Sequence, residues 1–366
     1  MLGDGRPEGY RPDRRPHPNA GGPPIHKVSR ADVARRAGVA ESTVSRALND
    51  SPLITEPIKE KVRDAARDLG YIPSRQAALF ARNRTNMLGF VVPTYSSFPP
   101  FSRPYFPALL DGVVLEADEE GYATTIVLDK REHEIEDYFA LIRSKTVDGL
   151  LFAVTRADFG PFMGLRERGV PFVLINNYQD GLNSVDARPE SGMRKAFSHA
   201  VNLGHRRIGY ITGDMHYRNA VDRLAAFNRL AAEFRIEPSI VEGNFSKTSG
   251  YVGAGKLLAR SLPPTLIMTS SDRAAFGVLQ FASESGIRVP ADLSVIGYDN
   301  LNPVQDITPA LSTVDHPVTA LARRATRLLI TILEGGRGEP VQEWLDTDFA
   351  IRESTSICAH DRGGNA

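Results

Sequence analysis

The chain has 366 residues, with 44 Lys and Arg against 44 Asp and Glu and a single cysteine. That length exceeds one ordinary hydrophobic core, so two or three domains are expected. Cys358 excludes an internal disulfide and fits a reducing compartment; no apolar run reaches membrane-spanning length and no signal-peptide pattern opens the chain, so a cytoplasmic protein is expected.

Residues 1–24 are rich in Pro, Gly and Arg without periodicity, which reads as a disordered tail over 1–25. Order is expected from Val28 onward. Ser29 is placed to cap a first helix, with Asp32 three residues on in capping-box position. Val33, Ala34 and Ala37 give that helix one apolar stripe, and Gly38 stops it with a left-handed turn. A second helix follows from about Glu41 to Asn49, with Val44 and Leu48 facing inward and Glu41, Ser42, Ser45, Arg46 and Asn49 facing out. Ala40 stands at its start, where no side chain is available to cap it. A third, Glu56 to Leu69, carries Ile58, Val62, Ala65, Ala66 and Leu69 at helical spacing, and Gly70 ends it.

Ala34, Gly38 and Val44 have the spacing a helix-turn-helix requires: a small residue at the crossing, a glycine in the turn, a branched residue packing back. An ordinary helical hairpin would share the Ala and Gly. It would not be expected to keep an outer face so compact and so rich in hydrogen-bonding groups. Charge supports the DNA reading, because residues 25–89 carry 12 basic and 7 acidic residues while 90–366 carry 28 and 34. Basic surface thus collects where phosphates would be met.

The run Asp32-Val33-Ala34, Gly38-Val39, Thr43-Val44-Ser45-Arg46 and Gly70-Tyr71-Ile72-Pro73 resembles the headpiece of LacI/GalR-family bacterial transcription regulators, and the likeness continues to Arg352-Glu353-Ser354-Thr355. The resemblance implies a headpiece over 26–72 and a hinge helix or linker over 73–87, with Arg75 near the duplex. It also implies a wedge in the minor groove at Phe80, where relatives carry leucine; an aromatic wedge is physically acceptable. A linker residue packing on the body is the plainer reading of Phe80.

From Met87 the pattern alternates. Leu88–Val92, Thr124–Leu128, Gly149–Ala153, Phe172–Ile175, Ile208–Thr212, Leu266–Thr269 and Ser294–Gly297 read as buried parallel strands. Between them, Phe106–Glu120, Ile135–Ser144, Glu190–Leu203, Ala220–Phe234 and Ala274–Ser285 read as helices. The fold class expected is an all-α helix-turn-helix headpiece followed, over 88–358, by an α/β effector domain; residues 359–366 read as a second tail. The resemblance implies that this domain has the two lobes of a type I periplasmic-binding-protein-like fold. It places three crossovers near Ser184–Arg188, Leu311–Val314 and Trp344–Asp348, and a cleft at the carboxyl ends of the strands.

The family's ligand positions carry over as Tyr105 and Phe106, Arg223, Phe245, Asp299 and His316. A guanidinium and a carboxylate together can hold vicinal hydroxyls or an anionic group, and aromatic faces add apolar area against a ring. Phe106 and Phe245 also read as core residues, and His316 as an interlobe hydrogen-bonding group. Asp272 reads as the cap of the helix that follows it rather than as a ligand contact. The stretch between Pro93 and Pro104 is several residues longer than usual for the family, so Tyr95, Phe98 or Phe101 is placed to overhang the pocket.

In the second helix, Arg46 is the candidate for reading guanine, or for holding a phosphate. Glu41 can accept from cytosine or stabilise its helix N-terminus. Thr43 and Ser45 fit phosphate contact or local packing. The whole then reads as a ligand-responsive transcriptional regulator, a repressor, binding near-palindromic double-stranded operators as a homodimer, with a carbohydrate effector and no cofactor, metal or membrane partner. A secreted solute-binding protein without a DNA role would lack residues 28–84. An enzyme would need more than Asp299 and His316, and neither a nucleophile motif nor metal-ligand spacing accompanies them.

Overall fold

A computed structural model describes residues 28–71, 84–93, 99–129, 135–153, 161–301, 304–336 and 338–358. The chain divides into two compact units, one ending at Asn83 and the other starting at Arg84. The two terminal tails, most of the 73–87 linker with Arg75 and Phe80, and Tyr95 and Phe98 fall outside the described residues.

The first unit holds three helices, α1 (Arg30–Ala37), α2 (Glu41–Leu48) and α3 (Glu56–Asp68). Ser29 and Asp32 close a reciprocal capping box, and Gly38 takes φ 64° to turn the chain into α2. Ala40 supplies no side-chain cap, so the N–H groups at the start of α2 lack the bond a Ser would give. Val33, Ala34, Ala37, Val44, Ala47, Val62, Ala65 and Ala66 form the core, with Leu48 and Leu69 packed against it. Ile58 departs from the expected stripe. The first turn of α3 buries Lys59 in its place, with its ammonium 2.8 Å from Asp50, and Ile58 is left exposed.

The second unit is built on two six-stranded sheets. The first contains β1 (Met87–Pro93), β2 (Ala123–Asp129), β3 (Gly149–Ala153), β4 (Phe172–Ile175), β5 (Ser184–Arg188) and β11 (Gln342–Asp346), in the order β11-β5-β4-β3-β1-β2, all parallel. The second contains β6 (Arg207–Ile211), β7 (Glu237–Val241), β8 (Leu266–Thr269), β9 (Ser294–Asp299), β10 (Ser312–Asp315) and β12 (Asp348–Ala350), in the order β12-β10-β9-β8-β6-β7. Only β12 runs antiparallel to its neighbour among these pairs. The central strands are buried end to end, as the apolar runs required of strands covered on both faces.

Helices α4 (Tyr105–Glu119), α5 (Ile135–Arg143) and α6 (Pro161–Glu167) belong to the first lobe. The second lobe holds α7 (Pro189–Asn202), α8 (Arg218–Glu233), α9 (Lys247–Leu258) and α10 (Asp272–Glu284). The last helix, α11 (Val318–Leu333), follows a second-lobe strand yet packs its Val318, Leu321, Ala322, Ala325 and Leu329 into the first-lobe core beside α4. Ser271, and not Asp272, caps α10: its hydroxyl accepts from the Ala274 N–H, while the Asp272 carboxylate accepts from Thr313 Oγ1 and the Leu301 N–H.

Three crossings join the lobes. The chain leaves β5 at Arg188, leaves β10 at His316–Pro317, and passes from β11 to β12 through Thr347. The second crossing falls later than expected from the resemblance, because β10 stays paired with β9 through Asp315. Buried Thr347 stitches the first and third crossings together. Its hydroxyl accepts from the Gly192 N–H at 2.8 Å and donates to the Arg188 carbonyl at 2.8 Å.

Helices α9 and α10 cross through paired glycines. A Cβ on Gly277 would lie 2.0 Å from the Lys247 carbonyl, and one on Gly250 1.9 Å from the Ala274 carbonyl. Helix propensity alone would make Gly277→Ala stabilising by about 1 kcal/mol. The backbone clash reverses the sign, and a net loss of about 1–3 kcal/mol is expected in urea unfolding. In the headpiece the opposite is expected, with Ala40→Ser gaining about 1 kcal/mol by restoring the missing cap, read as a higher melting temperature of that unit.

Candidate effector cleft and DNA-reading helix

Carboxyl ends of strands from both sheets supply one buried constellation centred on Arg223, a residue of α8. The residue is 3% exposed, which removes nearly all the water its charge requires. Protein groups take water's place. Nη1 donates to the Ser270 carbonyl at 2.5 Å, the guanidinium carbon lies 3.7 Å over the Tyr298 ring, and Asp299 Oδ1 lies 3.4 Å away. Nη2 faces His316 Nδ1 at 3.4 Å.

That last contact sets the histidine's state. Arg223 has only hydrogens to offer, so Nδ1 accepts and the ring proton sits on Nε2. Burial, and then the Arg223 charge, push the His316 pKa well below its ordinary value, so the ring is neutral. Its Nε2 is buried with no hydrogen-bond partner among the described residues, as are Asp299 Oδ1, Tyr210 Oη, Ser270 Oγ and Asn219 Oδ1. Orphaned polar atoms at this density are costly in a closed protein and natural in a site that a polar ligand completes.

Aromatic groups flank these atoms. Tyr105 stacks on His316 with ring centroids 5.9 Å apart, and its hydroxyl accepts from Asn176 Nδ2 at 2.9 Å. The Phe245 ring lies 5.9 Å from the Arg223 guanidinium and covers Gly213, where a Cβ would come within 2.1 Å of its Cζ. Phe245 itself has φ 63°, Asn176 φ 56° and Asp299 φ 126°, conformations that L-residues adopt at a cost of about 1–3 kcal/mol each. Strain repeated at three loops around one cleft is the mark of a place shaped for binding.

Of the six effector positions carried over from the family, Tyr105, Arg223, Phe245, Asp299 and His316 gather here. Phe106 packs into the first-lobe core with Leu109 and Val113, touching Tyr105 edge-on. Phe101, from the long stretch after β1, also packs on that core. Asn176, Tyr210, Ser270 and Tyr298 were not picked out from sequence. Asn176 carried a signal, as the first polar residue after a wholly apolar strand; Tyr298 sat inside an apolar run and read as core.

In the headpiece, Glu41, Ser42, Arg46 and Asn49 are exposed and Thr43 and Ser45 half-buried. Arg46 is at the outer face of α2. Glu41 meets Arg30 Nε at 3.4 Å, and the Asn49 amide donates to the Ser45 carbonyl at 2.8 Å, closing the helix end. The outer face therefore keeps Arg46 and Ser42 for an external partner.

Comparison with known proteins agrees with this division. Residues 31–74 match the model of bacterial regulatory proteins of the lacI family, and 197–355 match the periplasmic binding protein-like domain. The chain is 31% identical over 330 residues to the HTH-type transcriptional regulator CelR of Thermobifida fusca, spanning 88% of this chain and 96% of that one. It is 30% identical to the transcriptional repressor PurR of Escherichia coli O1:K1 / APEC, over 84% and 91%. Among solved structures, the Lac repressor dimer bound to operator and the anti-inducer ONPF superposes with a TM-score of 0.77 at 26% identity, covering 90% of this chain and 99% of that one. A CelR–cellobiose complex gives 0.68 at 28%, covering 89% and 99%.

A DNA-reading head on a body with a ligand cleft defines a ligand-responsive DNA-binding transcriptional regulator. The chain belongs to the LacI family. No helix among the described residues is long and apolar enough to cross a membrane.

Burial holds the carboxyls of Asp272 and Asp299 above the ordinary aspartate range; Arg223 opposes the shift at Asp299, and the charge of Asp299 reinforces it at Asp272. Because these folded-state pKa values are raised, their contribution to stability is full below the unfolded value and is lost as pH rises through the folded one. Ligand binding has the opposite slope, since a hydroxyl group bonds best to the ionised Asp299. Affinity for a hydroxyl-bearing effector is expected to weaken as pH falls from about 7 to about 5, where exposed aspartates remain ionised. Calorimetric titration across that range checks it, and a flat affinity profile counts against it.

Proposed function

We propose that the protein is a repressor that binds near-palindromic operators as a homodimer and responds to a saccharide held between its lobes. The observation that carries the effector reading is the set of orphaned buried polar atoms around Arg223. Asp299 Oδ1 accepts, His316 Nε2 donates and Tyr210 and Ser270 can do either, which suits a neutral polyhydroxylated ring better than a ligand of one polarity. Tyr105 and Phe245 supply ring faces for its apolar side. The relative whose solved complex contains cellobiose supports the same class.

Dimerisation is supported by exposed apolar side chains on adjoining first-lobe elements. Val114 and Leu115 on α4, with Ile126 and Leu128 on the sheet-edge strand β2, are each exposed by more than two-fifths. A single headpiece also buries too little DNA for specific affinity. On the operator, Arg46 reads guanine, Ser42 and Glu41 adjust base preference, Thr43, Ser45 and Asn49 position the helix, and Arg75 and Phe80 act from the linker.

A gel-shift titration on the DNA upstream of the protein's own gene, with cellobiose and other saccharides, tests the reading. Arg46→Ala is expected to cost about 1–3 kcal/mol of specific binding and to relax base preference. Arg223→Ala is expected to keep operator binding and lose the saccharide response. No preference for any sequence over random competitor, in any ligand state, would falsify the proposal.

A further inference from the structure

A second cavity, of about 390 Å³, lies where the chain crosses between the lobes. Tyr178, Arg188 and Trp344 line it from the first lobe, and Glu190, Arg218 and Arg229 from α7 and α8 of the second. It shares no residue with the Arg223 constellation. Helix α8 separates the two, with Arg223 turned to the cleft and Arg218 and Arg229 to this cavity. The volume falls within the range of small-molecule sites.

Its chemistry is specific. Both acids in the lining are already engaged. Glu190 accepts from Arg229 and Arg194, each at 2.9 Å, and Asp222 accepts from Arg218 Nε at 3.1 Å. Arg188 is the least firmly held cation of the lining. Its nearest acid is Asp346, at 3.6 Å on an exposed edge, too long for a hydrogen bond. Beside it stands an aromatic pair, Tyr178 and Trp344, with centroids 5.1 Å apart. Arg218 stacks on Tyr178 at 4.5 Å and donates to its hydroxyl at 2.6 Å, which fixes the tyrosine ring from the opposite lobe. A guanidinium held only by its long, exposed ion pair to Asp346, next to an ordered aromatic wall, is a receptor for an oxyanion carried on a planar ring.

We propose that this hinge cavity is a second small-molecule site, taking a ring-bearing carboxylate or phosphate with its oxyanion on Arg188 and its ring against Trp344. The site is independent of what the cleft holds. An occupant touches both lobes and both stitched crossings, so it favours one lobe disposition and shifts cleft affinity; the cleft ligand shifts its affinity by the same factor.

Trp344 is the only tryptophan in the chain, so its fluorescence reports directly on this cavity. The full-length protein is titrated with benzoate, phenyl phosphate, inorganic phosphate and benzyl alcohol, with calorimetry in parallel. Benzoate or phenyl phosphate is expected to saturate in the millimolar range or below, which also separates the two anion types. Inorganic phosphate and benzyl alcohol, offering charge or ring alone, are expected to bind roughly ten-fold or more weaker. Arg188→Gln is expected to weaken the ring-bearing anion and Arg188→Glu to weaken it further, both with unchanged melting temperature, while Arg223→Ala leaves it in place. The proposal is overturned if neither ring-bearing anion saturates, if both Arg188 variants bind as the parent does, or if Arg223→Ala abolishes binding and so locates the probe in the cleft.

Discussion

A positive charge almost entirely removed from water lies at the middle of the sensing body, and the surrounding architecture answers to it. Stripping a guanidinium of its hydration costs several kcal/mol unless the protein replaces it. Here a backbone carbonyl, an aromatic face and a carboxylate do so, the first from the loop after β8 and the other two from the end of β9. None satisfies the ion completely, since Asp299 approaches without a good hydrogen bond and His316 offers only a long one. The residual demand passes outward to the unsatisfied atoms of the cleft. Burial keeps His316 neutral and the guanidinium reinforces it, so the buried charge and its surroundings together set the donor and acceptor pattern that a ligand meets.

Much of this is legible in the sequence. The capping box at Ser29, the glycine turn at Gly38 and the alternating apolar runs rest on local chemistry, and local chemistry is what a sequence displays. The strands Gly149–Ala153, Phe172–Ile175 and Leu266–Thr269 coincide with their apolar runs because burial on both faces leaves no room for polar side chains. Strands β7 and β11 escaped notice for the converse reason. They lie at sheet edges, carry residues such as Glu237, Gln342 and Glu343, and have no apolar signature. Asp272 misled because an acid at a helix start ordinarily caps. Only the approach of Thr313 and Leu301, distant in sequence, draws it into the interior. Tyr298 and Asn176 acquire meaning only once α8 and α4 bring Arg223 and Tyr105 to them.

The hinge differs in kind from the cores on either side. The lobes are held internally by branched and aromatic side chains, whereas the first and third crossings are joined by hydrogen bonds through the Thr347 and Ser191 hydroxyls. Directional bonds of this sort fix the spacing of two strands more tightly than apolar contact would. Arg218 and Tyr178 add a polar tie between lobes at the same end. Relative movement of the lobes is thereby confined to rotations that these bonds tolerate.

The order in which the chain visits its lobes bears on how the body is made in the cell. The first lobe begins at Met87, yet its sheet lacks the strand that borders β5, and its core lacks the helix beside α4, until Val318–Leu333 and Gln342–Asp346 have emerged. A nascent chain on the ribosome can close its headpiece, whose three helices are contiguous, long before either half of the sensor is complete. Until translation nears its end, the part of α4 that packs on Val318–Leu333 has no native cover. Premature termination between the end of the headpiece and Val318 would therefore leave a protein with a finished DNA-reading head and a sticky, unsealed body.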